Sequence, residues 1–154
     1  MWNKIRPYAG FSAAALAVGG LSALLTGSGM KDFAALNQPP LSPPGWIFPA
    51  VWTILYVLMG VSFGILRDKH LNDSNVKLIY YIQLIVNLLW PIAFFVLKWR
   101  LFAFIWILIL DALVVLMIFT FYKRNKTAAL LQLPYLAWVL FASYLNLGVY
   151  ILNG

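Results

Sequence analysis

Five apolar runs divide the chain, each close to the roughly 20 residues that carry a helix across a hydrocarbon core, and polar clusters such as "RDKHLNDSN", "KWR" and "KRNK" separate the later ones. The runs cover positions 7–25, 48–66, 78–97, 101–122 and 128–152. The pattern predicts an all-α integral membrane protein: one domain over 1–154, a bundle of five transmembrane helices, with 27–47 as the longest connection. The first run follows Lys4 and Arg6. It is longer than the apolar core of a secretory signal, about 7–15 residues, and reads as a retained helix.

Within the runs, polar and aromatic residues recur at helical spacing. In "QLIVNLLWPIAFF", Gln83, Asn87, Trp90 and Phe94 share one face. Pro91, inside the same helix, deprives the Asn87 carbonyl of its usual partner. Trp52, Tyr56, Met59 and Phe63 form a stripe in the second run; Tyr135, Trp138, Ala142 and Leu145 form one in the fifth. A single stripe is ordinary packing, whereas three aromatic faces with few polar points make the lining of a site for a large flat apolar ligand. Amides at this depth have two readings, bonds between helices or contacts to a ligand. Asp111, near the middle of the fourth run, must be paired or protonated. A hydrogen bond to another helix and a part in ligand or proton handling both fit it. In the first run Ala15, Gly19 and Ala23 lie four apart and let another backbone approach, within the molecule or in a second subunit.

Composition narrows the chemistry. Mean hydropathy is +0.88 and only 10% of residues are charged, against about 25% in soluble domains. The net charge of +7 is scattered over loop clusters and forms no continuous stripe, so nucleic acid is not a partner. Eight Lys and Arg fall in the N-terminus and the second and fourth connections, against three (Lys31, Lys98, Arg100) in the others. The positive-inside rule then puts the N-terminus in the cytoplasm and the C-terminus outside. There is no cysteine, no glutamate and one histidine, His70, in a polar loop. No metal site and no conventional catalytic constellation can be assembled, and no cofactor is required.

The connection "PPLSPPGWIFPAVW" packs five prolines and two tryptophans into fourteen residues. Ser42 is a candidate N-cap for a turn holding Pro43 and Pro44. Pro49 then forces a restart near Phe48. The result is a rigid bent loop presenting Trp46 and Phe48 at the membrane edge, as an interfacial anchor or as a lid that loses little entropy on closing.

"PPGWIFPAVWTILYVLMG", "QLIVNLLWPIAFF" and "LPYLAWVLFASYLN", in this order within five spans, resemble the translocator protein family, also called tryptophan-rich sensory proteins or peripheral-type benzodiazepine receptors. The resemblance covers nearly the whole chain. It implies a five-helix bundle, commonly dimeric, whose inner cavity is closed by the first loop and binds porphyrins and, in some members, sterols. It places Pro43, Pro44, Trp52, Asn87, Trp90, Trp138 and Ala142 in the pocket, and Trp46 and Phe48 in its lid; Gln83 and Asp111 join as ligand candidates from their positions in the spans. Some bacterial members are reported to degrade protoporphyrin in light, which would make Trp52 and Trp138 the oxidisable indoles around the bound macrocycle, or simply surfaces on which it stacks. The chain departs from the family at Asp32-Phe33 and Leu41, where relatives often carry a Trp-Tyr pair and a Trp. No Lys or Arg follows Tyr144 or Tyr150, so the C-terminal sterol motif is absent.

The expected function is a membrane receptor for porphyrin in a cavity between helices, in a bacterial cytoplasmic membrane, with the lipid bilayer and a second copy of the chain as partners. Transport of porphyrin or another amphipath, and an adaptor role through the small-residue face of the first helix, are the alternatives.

Overall fold

The computed structural model describes residues 2–154, without the side chains of Trp2 and Lys4, so the Lys4 charge counted above lies outside the described residues. The helices are α1 (Trp2–Ala34), α2 (Ile47–Asp68), α3 (Ser74–Pro91), a π-helical continuation (Ile92–Val96), α4 (Arg100–Tyr122), a short α5 (Lys126–Leu130) and α6 (Leu133–Asn153). Five helical segments are long and apolar enough to cross a membrane, and among the described residues there is no strand. α1 packs on α2, α3 and the π-helical stretch, α4 lies against α3 and α6, and α5 touches α2. Trp52 on α2 meets Tyr135 on α6 at 6.3 Å between ring centroids, which closes the ring of helices.

Each departure from the expected boundaries has a local cause. α1 does not stop near residue 25 but runs to Ala34. Gly27 and Gly29 disfavour helix by propensity, but Gly29 lies so close to the Phe95 carbonyl that no side chain would fit. Phe33, one turn on, packs edge-on against Phe48, Phe94 and Phe95 at 5.5–6.2 Å. Tertiary packing overrides propensity, and the connection shortens to residues 35–46. In the fifth span, Pro134 in an unbroken helix would cost the Leu130 carbonyl its bond. The chain breaks at Leu131–Gln132, and Pro134 falls in the first turn of α6. After Pro91 the helix widens into π geometry, with Leu97 N–H donating to the Ile92 carbonyl at 2.9 Å.

The proline-rich connection is rigid for readable reasons. The backbone N–H and the hydroxyl of Ser42 both donate to the Pro39 carbonyl, at 3.3 and 2.8 Å. Pro40 and Leu41, the latter at φ 68°, occupy the middle of that turn, the arrangement that takes proline second and a left-handed residue third. Ser42 thus closes a turn behind it and does not cap one ahead. Helix resumes at Ile47, which places Pro49 in the first turn of α2, where a missing N–H costs little. Three further contacts hold the loop to α6. Asn37 N–H donates to Asn153 Oδ1 and Asn153 Nδ2 donates back to the Asn37 carbonyl, at 3.0 and 2.9 Å. Tyr144 hydroxyl donates to the Pro40 carbonyl at 2.7 Å, and Pro39 covers Gly148, where a Cβ would clash.

Charge segregates between the two ends. At one, Arg124 pairs with Asp73 at 2.6 Å and Tyr8 hydroxyl donates to the Asp68 carboxylate, gathering the "RDKHLNDSN" and "KRNK" loops. At the other, beside the proline-rich loop, Lys98 pairs with Asp32 at 2.7 Å. The departure at Asp32-Phe33 therefore places an ion pair and an aromatic contact at the end of α1 and not in the loop.

Two outcomes follow for stability. Gly60 on α2 sits against the Phe11–Ser12 backbone of α1, with no room for a Cβ, and Ser12 hydroxyl donates to the Val57 carbonyl beside it. Gly60→Val should lower unfolding stability in detergent by roughly 1–3 kcal/mol through overpacking, while Gly10→Ala, whose Cβ meets nothing within 4 Å, should not. The Val76 N–H and then Arg124 hold the Asp73 carboxyl below its ordinary pKa. A depressed folded pKa contributes stability above the unfolded carboxylate pKa that is lost as pH falls through the folded one. Asp73→Ala should thus be less stable than wild type near neutrality, with the gap in thermal midpoint closing in acid below the ordinary aspartate range.

Candidate functional site

A cavity of about 470 Å³ lies between α1, α2, α3 and α6, under the proline-rich loop. α1 contributes a small-residue face, Gly19, Gly20, Ser22, Ala23 and Thr26, with Leu16 and Met30 at its ends. α2 contributes Phe48, Pro49, Trp52, Thr53 and Tyr56; α3 contributes Asn87, Trp90 and Pro91; Phe95 follows from the π-helical stretch, and α6 contributes Trp138 and Ala142. No lining residue carries a charge.

The aromatic walls brace one another. Trp52 stacks on Tyr56 at 5.6 Å, Trp90 stacks on Phe94 at 5.4 Å, and Phe48 meets Trp138 edge-on at 5.8 Å. Phe48 therefore links the start of α2 to the opposite wall and, through Phe33, to the end of α1. The Trp138 indole N–H is buried and makes no hydrogen bond to the protein among the described residues.

Behind Asn87 a relay of hydrogen bonds joins three helices. Tyr56 hydroxyl donates to Asn87 Oδ1 at 2.9 Å, Asn87 Nδ2 donates to the Tyr135 hydroxyl at 2.7 Å, and that hydroxyl donates to Gln83 Oε1 at 2.8 Å. One turn along α3, Trp90 Nε1 donates to Asn146 Oδ1 at 3.1 Å, and Asn146 Nδ2 donates to the Arg100 carbonyl. All polar side-chain atoms of these two sets are matched except Gln83 Nε2, which is buried without a partner among the described residues, in a setting where an unmatched group costs several kcal/mol, ~2–7 by transfer.

Of the eleven residues named from the sequence as pocket, lid or ligand candidates, the cavity gathers six: Phe48, Trp52, Asn87, Trp90, Trp138 and Ala142. Five lie outside its wall. Gln83 is fully buried at the far end of the relay. Asp111 accepts a 2.7 Å bond from Ser143 on α6, a contact between helices, and its other oxygen has no protein partner among the described residues. Trp46 is 71% exposed, on the same end of the bundle as exposed Trp99, in the position of an interfacial anchor. Pro43 and Pro44 shape the approach to α2, where the Pro44 carbonyl accepts the Ile47 N–H. The sequence reading missed the share of α1. Ala15, Gly19 and Ala23 were taken there for helix packing alone, but Gly19 and Ala23, with Ser22 and Thr26 at offsets of three and four, also line the cavity. Both uses coexist: Ala15 is buried and Gly19 meets α2 within the molecule against the Tyr56 ring, while Gly19 and the following turns line the cavity.

Comparison with known proteins agrees with this geometry. Residues 11–152 match the TspO/MBR family. Tryptophan-rich protein TspO of Archaeoglobus fulgidus is 41% identical over 142 residues, covering 91% of this chain and 92% of the relative. The protein of the same name from Chlorobaculum tepidum is 39% identical over 124 residues, 79% of this chain and 78% of the relative. The translocator protein of Bos taurus is 33% identical over 145 residues, 91% and 86% respectively. A five-span helical bundle whose cavity is walled by the tryptophans of those three motifs, matched over nearly its whole length, belongs to the TspO/MBR family.

Proposed function

We propose that the protein is a membrane receptor that holds a porphyrin, or a similarly flat apolar ligand, in the cavity beneath the proline-rich loop. The observation that carries this reading is the wall itself: Trp52, Trp90 and Trp138 on three helices around about 470 Å³ with no charged residue, within the roughly 300–1,000 Å³ usual for small-molecule sites. The carboxylates of such a ligand belong at the loop end, where Lys31, Lys98 and Arg100 lie, since the wall offers them no cation. The buried Trp138 N–H supplies one donor for an acceptor on the ligand. Charge distribution supports a cytoplasmic N-terminus and an external C-terminus by the positive-inside rule. A bacterial cytoplasmic membrane and a homodimer complete the proposal.

Titration of the purified protein with protoporphyrin should quench tryptophan fluorescence saturably. Trp52→Phe and Trp138→Phe together should weaken binding about tenfold, at about 0.5–1.5 kcal/mol for each aromatic contact. Unchanged affinity in the double variant would remove the cavity as the site. Carriage across the membrane is the second reading, and the cavity's position between helices supports it. Protein-dependent porphyrin accumulation in sealed proteoliposomes would establish it, whereas binding without accumulation leaves a receptor.

Light-dependent oxidation of the bound porphyrin belongs to the same proposal. The illuminated macrocycle acts as sensitiser and dioxygen as oxidant; both oxygen atoms add across the carbon–carbon double bond between one methine carbon and its pyrrole ring, and that bond breaks to leave a carbonyl on each carbon, so no further reductant is needed. Dark samples should be inert, and illuminated wild type should give a product with a shifted absorption spectrum. Slower conversion by single Trp52→Phe or Trp138→Phe variants that still bind would support a part for the indoles. Equal conversion by those variants, or by protein-free micelles, would leave binding alone.

A further inference from the structure

On the far side of α3 from the cavity, a second depression of about 440 Å³ runs between α3 and α4 and shares no residue with the first. Its floor and rims are apolar, with Leu78 and Ile82 on α3 and Leu113 and Leu116 on α4. Leu78 and Leu116 are 60% and 54% exposed, so among the described residues no helix covers the groove. Its upper end is polar: Thr120, then Lys123 and Arg124.

The charges at that end do not cancel. Asp73 is satisfied within its own loop, Oδ1 by the Val76 N–H and Oδ2 by Nε and Nη2 of Arg124. Lys126 sits over the Tyr122 ring, 5.6 Å from its centroid. Lys123 has no acidic partner among the described residues, so Lys123, Arg124 and Asp73 together carry one net positive charge. Length matters as much. From Lys123 to Leu113 is ten residues of helix, roughly 15 Å at about 1.5 Å per residue, which is half of the about 30 Å hydrocarbon core and hence the depth of one leaflet.

From these observations we propose that the α3–α4 groove is a binding site for one anionic phospholipid of the bilayer, its phosphate against Lys123 and the free N–H groups of Arg124 and one acyl chain along Leu116, Leu113 and Ile82. In lipid, an acyl chain gains little by leaving its neighbours for an apolar groove. Selection therefore rests on the headgroup, and basic clefts between spans at the basic side of a membrane protein are where anionic headgroups gather. A second copy of the chain is the poorer occupant. A two-fold axis along the membrane normal would bring Lys123 and Arg124 of both copies together at one end of the shared face, like against like.

The test is native mass spectrometry of the full chain in neutral detergent, titrated with phosphatidylglycerol or phosphatidylcholine. Wild type should retain one phosphatidylglycerol with several-fold preference. Lys123→Glu, on an exposed side chain, should abolish the preference, and Leu116→Trp, filling the groove, should release the lipid, both with the wild-type thermal midpoint in detergent. Equal retention of the two lipids by wild type, or wild-type retention by both variants, would overturn the proposal. Retention of inorganic phosphate by wild type as tightly as of phosphatidylglycerol would overturn it as well, because the groove would then take the free anion and not a lipid. A dimer mass that disappears in Leu116→Trp without any lipid bound would assign the groove to a second copy instead.

Discussion

The bundle depends on matching its few polar groups across helices. Lipid tails are as apolar as leucine, so the spans gain little by burying leucines against one another, and packing and hydrogen bonds must select their arrangement. The relay from Tyr56 through Asn87 and Tyr135 to Gln83 does this at the centre, joining α2, α3 and α6 with four side chains in one order. Because Tyr56 and Asn87 are also cavity wall, the contact that sets the helix positions sets the shape of the site. A pocket so large can persist because its rim is held from both sides.

Backbone breaks complete that frame. Pro91, Pro134 and the Pro39–Pro49 run each mark a change of helical path beside a span that lines the cavity. The widening after Pro91 brings Phe94 and Phe95 towards Phe33, and the break before Pro134 starts α6 with Tyr135 turned into the relay. The proline-rich loop is then held to α6 through Asn37, Pro39 and Pro40, which fixes Phe48 against Trp138. Small residues do the complementary work on α1, where Gly19 and Gly29 allow contact that any Cβ would forbid.

Much of this was legible in the sequence because hydropathy and helical spacing are local signals. Five runs of spanning length gave the spans, and the period of 3.6 placed Asn87, Trp90, Trp52 and Trp138 on inward faces. What depends on partners was not legible. The first apolar run stops at residue 25, yet packing of Gly29 on Phe95 carries α1 to Ala34. Asp111 and Gln83 carried two readings each, a bond between helices or a ligand contact, because a polar residue at depth does not reveal its partner; Ser143 bonds one oxygen of Asp111 and Tyr135 the carbonyl of Gln83. Trp46 and Phe48, two residues apart, look equivalent in a loop, but the start of α2 at Ile47 turns one outward and the other into the cavity.

The most direct test of the central relay is a double-mutant cycle between Tyr56→Phe and Tyr135→Phe, which delete the hydroxyls on either side of Asn87 while keeping both rings, read as unfolding stability in detergent. Each single change should cost about 0.6–2 kcal/mol, and the pair should cost clearly less than the sum, since either deletion releases Asn87 from its fixed orientation. Losses that are negligible, or that simply add, would contradict a relay acting as one unit.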